Sequence, residues 1–179
     1  MHEAPPGRGE RMNVRPEQDG IVLRHPQLAD SPELWQLVKA VGTLDLNSSY
    51  AYVLMCRHFA HTCVLAELDG QTVGFVTGYL PPEEPGVLFV WQVGVAEAAR
   101  GRGLAGRMLD WLLRADACAG VEHLETTVSP TNEASRALFA SLAGRWSAEL
   151  SPIGVFPAGL FPEAGHEPEP LLRIGPLVR

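Results

Sequence analysis

Along the chain, apolar positions change their period several times, and each change predicts an element. Residues 21–25 read as a first strand, stopped by Pro26. Asp30-Ser31-Pro32 offers a cap followed by proline, which predicts a helix through about residue 41. After a loop over 42–46, Tyr52, Met55, Cys56 and Phe59 recur at i, i+3, i+4 and i+7 and predict a second helix over 47–60. Two strands, 62–68 and 72–79, meet at Asp69-Gly70, a favoured hairpin turn. Residues 87–95 are apolar on both faces and read as a central strand. Leu104, Met108, Leu112 and Ala115 mark one face of a helix over 103–118, with Gly120 as its stop. A strand over 121–128 follows. Ser129-Pro130-Thr131 then predicts the caps of a helix to about residue 143, with Ser135, Leu138, Phe139 and Leu142 inward. A short strand over 146–150, a Pro/Gly-rich stretch over 152–170 and a last strand over 171–174 complete the pattern. So long a loop is more often functional than idle. The order fits an α/β (α+β) chain, a mixed sheet with helices on both faces.

Composition narrows the class. A chain of 179 residues predicts one domain, here 20–179, after an arm over 1–19 that mixes proline, glycine and charge without period and is expected to be disordered. Apolar residues make up 46% and charged residues 20%, as in ordinary soluble proteins. The first 20 residues are polar and carry no apolar stretch of signal-peptide type, and no apolar run is long enough to span a bilayer, so a cytoplasmic protein without a membrane partner is expected. A net charge of −7 argues against a dedicated nucleic-acid binder. Lys39 is the only lysine, which excludes a P-loop Gly-Lys-Ser/Thr signature and leaves one side chain able to form a Schiff base. Three cysteines without a Cys-x-x-Cys predict no disulfide framework. Cys56-x-His58-x-x-His61-x-Cys63 groups four metal-ligating types, but Cys56 belongs to an apolar helix face and Cys63 to a strand, so no metal is expected.

The chemistry concentrates in Arg100-Gly101-Arg102-Gly103-Leu104-Ala105-Gly106, between the central strand and a helix. Glycines let backbone approach a ligand closely, and a helix start adds unpaired N–H groups and a positive dipole end. Arg100, Arg102, Arg107 and Arg114 against Glu97 and Asp110 give this segment a local charge of +2 (4 − 2) in an acidic chain. A phosphate or diphosphate is the ligand such a loop favours. Gly101, Gly103 and Gly106 fit the dinucleotide pattern G-x-G-x-x-G, with Glu122 or Glu125 about 20 residues on. That pattern requires the strand to turn straight into its glycines, whereas residues 96–99 intervene here. A helix start with incidental glycines is the plain alternative.

Arg100, Gly103 and Ala105 also satisfy R/Q-x-x-G-x-G/A, which resembles the acyl-CoA diphosphate loop of the GNAT superfamily of N-acyltransferases, and the element order matches that fold, a mixed, mostly antiparallel sheet flanked by helices. The resemblance implies acetyl-CoA as co-substrate. It implies a pantetheine arm on the backbone of Val93, Gly94 and Val95, a diphosphate on residues 100–105 (Arg100, Gly101, Arg102, Gly103, Leu104 and Ala105), and support from Asn132. Asp45-Leu46-Asn47-Ser48-Ser49-Tyr50-Ala51-Tyr52, Phe89-Val90-Trp91-Gln92-Val93 and Leu124-Glu125-Thr126-Thr127 narrow the likeness to the branch that acetylates the 4-amino group of L-2,4-diaminobutyrate in ectoine synthesis. Other diamines, a peptide amine, or a CoA-binding module without catalysis are the alternatives.

Within that reading Glu125 is the candidate to accept the ammonium proton, against a plain surface ion pair. Asp45 is the candidate anchor of a substrate ammonium, against a helix N-cap. Trp91 would face the cationic amine, against simple core packing, with Tyr50 lining the same pocket. His166 matches a family histidine and would meet the substrate carboxylate. Superfamily members often carry a tyrosine acid where this chain has Phe139, which leaves the acid unassigned. A homodimer is the expected assembly.

Overall fold

A computed structural model of the chain describes residues 20–162 and 165–178; the arm expected over 1–19 lies outside the described residues. The elements are β1 (Ile21–Arg24), α1 (Ser31–Val41), α2 (Ser49–His58), β2 (Val64–Leu68), β3 (Gln71–Tyr79), β4 (Val87–Val95), α3 (Leu104–Leu113), β5 (His123–Thr127), α4 (Glu133–Arg145), β6 (Glu149–Phe156) and β7 (Glu169–Gly175). All seven strands join one sheet in the order β1-β2-β3-β4-β5-β7-β6, so the apolar strand β4 is central. Only β4 and β5 run parallel; the other pairings are antiparallel. Asp69 and Gly70 turn the β2–β3 hairpin with φ of 52° and 78°, the positive pair that a two-residue turn of this kind requires.

Strand alternation sends apolar side chains to both faces of the sheet. Leu65 and Phe75 point to one face, where Leu34 and Val38 of α1 and Tyr52 and Cys56 of α2 cover them. Val64, Ala66, Val76, Leu88 and Val90 point to the other, beneath Met108 and Leu112 of α3 and Phe139 and Leu142 of α4. Arg24 fastens β1 to this frame through Asp30 at 2.7 Å. Burial pushes the Asp30 carboxyl up, yet hydrogen bonds from Arg24 and from the Gln27 amide outweigh it and hold the group below the usual carboxylate range.

Two irregularities of β4 make the site. Thr77 pairs with Gln92 but Gly78 pairs with Val90, so Trp91 is an extra residue bulging from the β3–β4 ladder. The bulge moves Gln92 to the α2 face, although Val90, two residues earlier, faces α3. Further on, β4 and β5 pair only at Val87–His123, Leu88–Leu124 and Phe89–Glu125. Past that point β5 continues beside β7 alone, through Thr127–Leu171. The parallel strands therefore part at Phe89 and Glu125, and residues 90–95 have no partner on that side.

Several expected boundaries move. α3 stops at Leu113 rather than near residue 118, and Ala115 lies outside it; a 3-10 turn, Asp116–Cys118, instead folds Cys118 into the core. The cap of α4 is Asn132, whose Oδ1 accepts the Ser135 amide at 3.0 Å, and not Ser129 to Thr131. β6 extends to Phe156 and β7 begins at Glu169, so strand takes up both ends of the expected loop over 152–170. Pro152 is tolerated in β6 because that strand is the sheet edge, where one side of the backbone needs no partner.

Candidate active site

The parted strands open a cleft of about 420 Å³, within the usual range for small-molecule sites. Val93, Gly94 and Val95 form one wall, and Asn132, Ser135 and Leu138 of the α4 start form the other. Arg100, Gly101, Gly103, Leu104 and Ala105 close its end, together with Gly106. Arg102 does not line the cleft, unlike the other loop residues the motif picks out.

The loop geometry suits an anion. Gly101 and Gly103 have φ of 77° and 68°, the left-handed region where a side chain is strained. Gly103 is the N-cap of α3 and brings no side chain to it, and the first turn holds no acidic residue. The first backbone bond of the helix runs from the Arg107 N–H to the Gly103 carbonyl, 3.1 Å. The amides of Leu104, Ala105 and Gly106 thus precede any intrahelical partner and point, with the helix dipole, toward the cleft end. Arg100 folds back beside them, its Nε donating to the Val95 carbonyl at 3.2 Å.

A polar cluster, outside the lining of that cleft, lies at the parting point. Glu125, 7% exposed, ends the β4–β5 ladder. Arg173 sits opposite it on β7 and donates through Nε to Glu125 Oε1 at 2.6 Å. The ion-pair alternative for Glu125 is therefore real, but it joins a buried carboxylate to a half-exposed guanidinium on the neighbouring strand. Burial and, second, the Glu125 charge push the Tyr79 phenol upward, so this neighbour is a neutral O–H at physiological pH. Trp91 stacks on Tyr52, with ring centroids 6.0 Å apart and planes at 23°. Tyr52 in turn donates to Gln92 Oε1 at 3.1 Å, and Gln92 Nε2 donates to the Asp45 carbonyl at 2.8 Å. Gln92 so fixes the α1–α2 loop to the sheet. It can do so only because the bulge turns it to that face.

Asp45 caps no helix, since the N-cap of α2 is Ser48. Its carboxylate is exposed instead, with ligand atoms of Asp45, His166 and Glu169 all within 4.8 Å of one another. His166 Nδ1 lies 2.7 Å from the Glu167 carbonyl, which can only accept, so that nitrogen carries the hydrogen and Nε2 faces Glu169 Oε1 at 3.8 Å. Phe161 stacks on the imidazole, with ring centroids 3.8 Å apart. Thr127 Oγ1 donates to Glu169 Oε2 and orients that carboxylate. Two carboxylates and an imidazole so close form a cation-seeking cluster. Tyr50 is 67% exposed at the start of α2 and does not line the cleft. Phe139 is buried in the core and Leu138, one residue earlier, reaches the cleft, so neither supplies an acid.

The motifs contain Gln92 and Thr127 without giving either a role, and Glu169 and Arg173 lie outside them. A signal for each was present. Gln92 is the one polar residue within an otherwise apolar strand, Glu169 and Arg173 are the charged residues of β7, and Thr127 lies two residues after Glu125 on β5.

A splayed parallel pair, a glycine loop at a helix start and a carboxylate at the parting point define an acyl-CoA-dependent acyltransferase of the GNAT class. The acetyltransferase (GNAT) family model matches residues 32–144, and the chain belongs to that family. Its similarity to particular members is narrower. It is 53% identical to the L-2,4-diaminobutyric acid acetyltransferase of Streptomyces avermitilis, over 89% of this chain and 90% of that one. The enzyme of the same description from Marinococcus halophilus is 48% identical, over 90% and 93%. Among solved structures, diaminobutyrate acetyltransferase EctA of Paenibacillus lautus, in complex with its substrate L-2,4-diaminobutyric acid and coenzyme A, is 43% identical. It superposes with a TM-score of 0.85, over 89% of this chain and 96% of that one.

Proposed function

We propose that this chain transfers the acetyl group of acetyl-CoA to the 4-amino group of L-2,4-diaminobutyrate, giving N4-acetyl-L-2,4-diaminobutyrate, a step of ectoine synthesis. The observation that carries the reading is the match over 89% of this chain to EctA, a structure determined with that amine and coenzyme A, joined to a cleft and a carboxylate cluster that suit the two substrates.

The chemistry sets definite demands. A free alkyl ammonium has a pKa of about 10.4, so exposing the neutral amine at pH 7 costs about 4.6 kcal/mol. Glu125 takes that proton, at the point where β4 and β5 part and a thioester threaded past Val93 would arrive. Asp45 and Glu169 hold the second ammonium, and His166 meets the substrate carboxylate. Trp91 presents its ring to the cationic end, a contact worth roughly 0.5–2 kcal/mol. The neutral amine attacks the thioester carbonyl, the C–N bond forms, and the C–S bond breaks. The thiolate leaves readily because a thiol pKa is only about 8.5, so no strong general acid is required. Val93 to Val95, the amides at the α3 start and the Asn132 amide hold coenzyme A in place.

A homodimer and a cytoplasmic location belong to the same reading. The first is supported by Ile153, Val155 and Phe156, apolar and exposed on the edge strand β6. The second is supported by acetyl-CoA, which is made and used inside cells. Thiol release from acetyl-CoA, measured against diaminobutyrate, ornithine, lysine and polyamines, tests the reading. Diaminobutyrate is expected to give the highest kcat/KM by far; a preference for a polyamine, or no release with any amine, overturns it.

A further inference from the structure

One contact of Glu125 has no part in the chemistry described so far, its ion pair with the half-exposed Arg173. Arg173 and Glu125 are register partners across β7 and β5. Arg173 Nε donates to Glu125 Oε1 at 2.6 Å, and Nη2 touches the same oxygen. A guanidinium free to choose takes a carboxylate side-on, with one N–H to each oxygen. Here both contacts fall on Oε1. The same Nη2 also donates to Glu84 Oε2 at 3.0 Å. Glu84 lies in the β3–β4 turn and pulls the guanidinium off the side-on position.

We infer that Arg173, held by Glu84, is a positioning residue that locks Glu125 through Oε1 and leaves Oε2 to receive the substrate's N–H proton. The inference rests on the reading of Glu125 as the base. Charge supports it: Glu84, Arg173 and Glu125 sum to −1, so an arriving ammonium finds an attractive site although an arginine already occupies it. Geometry supports it too, because a carboxylate on a flexible stem aims poorly unless one oxygen is fixed. In the step itself an N–H bond of the ammonium breaks, an Oε2–H bond forms, and nitrogen keeps the electron pair for the carbonyl carbon. A second N–H proton is lost as the amide forms. Of these two protons one ends on the departing thiolate and one in solvent.

The test compares Arg173→Met, Arg173→Lys, Glu84→Gln and Glu125→Gln by thiol release with acetyl-CoA and diaminobutyrate, alongside thermal unfolding. Arg173→Met is expected to lower kcat about tenfold to a hundredfold, the range set by losing charge-assisted hydrogen bonds to a reacting group, while the KM for acetyl-CoA stays unchanged. Arg173→Lys keeps the charge without the fork and should recover part of that loss. Glu84→Gln, at a solvent-exposed side chain, should lower kcat in the same direction, which keeps the question decidable if Arg173→Met fails to fold. A Glu84→Gln or a folded Arg173→Met enzyme with wild-type kcat overturns the inference. So does a loss that Arg173→Lys does not relieve and that raises the acetyl-CoA KM in step, the mark of a general structural role. Full activity in Glu125→Gln would instead remove the base itself, a separate failure.

Discussion

Gly94 offers the sharpest perturbation of the cleft. It sits in the middle of the wall formed by Val93 to Val95 and pairs with Phe75 across β3. A Cβ added there would lie 2.3 Å from Phe75 Cε1 and 2.7 Å from Cζ. Carbon atoms in contact settle at roughly 3.5–4.0 Å, so more than an ångström must be found. The ring cannot supply it, because Phe75 is fully buried beneath Leu34, Val38 and Tyr52. We therefore expect Gly94→Ala to destabilise the fold by about 1–3 kcal/mol, the usual cost of overpacking, which for a chain of this size lowers Tm by roughly 2–12 °C. β4 can also yield by moving toward the cleft, which displaces the backbone expected to hold pantetheine. The KM for acetyl-CoA should then rise while the KM for the amine changes little. Thermal and urea unfolding, with thiol-release kinetics at saturating amine, read both effects. Shortening the neighbour, as Phe75→Leu, removes the colliding edge, so the double variant should be at least about 1 kcal/mol more stable than the sum of the two single changes. A Gly94→Ala protein with wild-type Tm and KM, or strict additivity in the double variant, refutes the reasoning.

Other perturbations separate the parts of the site. Glu125→Gln should lower kcat by about 10²–10⁴-fold, the range for losing a general base, with calorimetric binding of coenzyme A unchanged. Asp45→Asn and Glu169→Gln should each raise the KM for diaminobutyrate and leave that for acetyl-CoA alone, as steady-state kinetics would record. Asp30→Asn should cost about 1 kcal/mol at neutral pH, since the charge-assisted bonds of a half-buried pair are lost. Because the Asp30 carboxyl is held low when folded, that contribution is present above the unfolded value near ~4 and disappears as pH falls through the lowered one. Urea unfolding of the two proteins should therefore differ at pH 7 and converge in acid. Burial pushes the Cys63 thiol up to about 12 and the Cys56 thiol up to about 11, so iodoacetamide at pH 8 should leave both unmodified in the folded protein and label both in urea.

Much of this architecture is readable without coordinates, for reasons particular residues make plain. Asp69-Gly70 must adopt positive φ, and the run from Val87 to Val95 must be buried on both faces, so the hairpin and the central strand follow from local chemistry. The part of β6 beyond residue 150 escapes the pattern because an edge strand with Ile153, Val155 and Phe156 all exposed has no alternation to read. α3 overruns in the pattern because Cys118 is apolar and buried like a helix-face residue, yet it reaches the core from a 3-10 turn. At the site, glycines and motif carboxylates stand out as residue types, whereas the Trp91 bulge does not. A register shift of one residue leaves no trace in composition, and it alone places Gln92 under Tyr52 and Asp45. The partnership of Glu125 and Arg173, 48 residues apart, likewise depends on β7 returning beside β5, a long-range pairing that neither strand announces.

The most direct test of the whole account is a crystal structure of the chain with coenzyme A and L-2,4-diaminobutyrate bound together. The account predicts diphosphate oxygens about 2.7–3.2 Å from the amides of Leu104 to Gly106, pantetheine along Val93 to Val95, and the 4-amino nitrogen hydrogen-bonded to Glu125 with the other ammonium between Asp45 and Glu169. Diphosphate bound away from that helix start, or the 4-amino nitrogen seated at Asp45 with Glu125 touching no substrate atom, would contradict it.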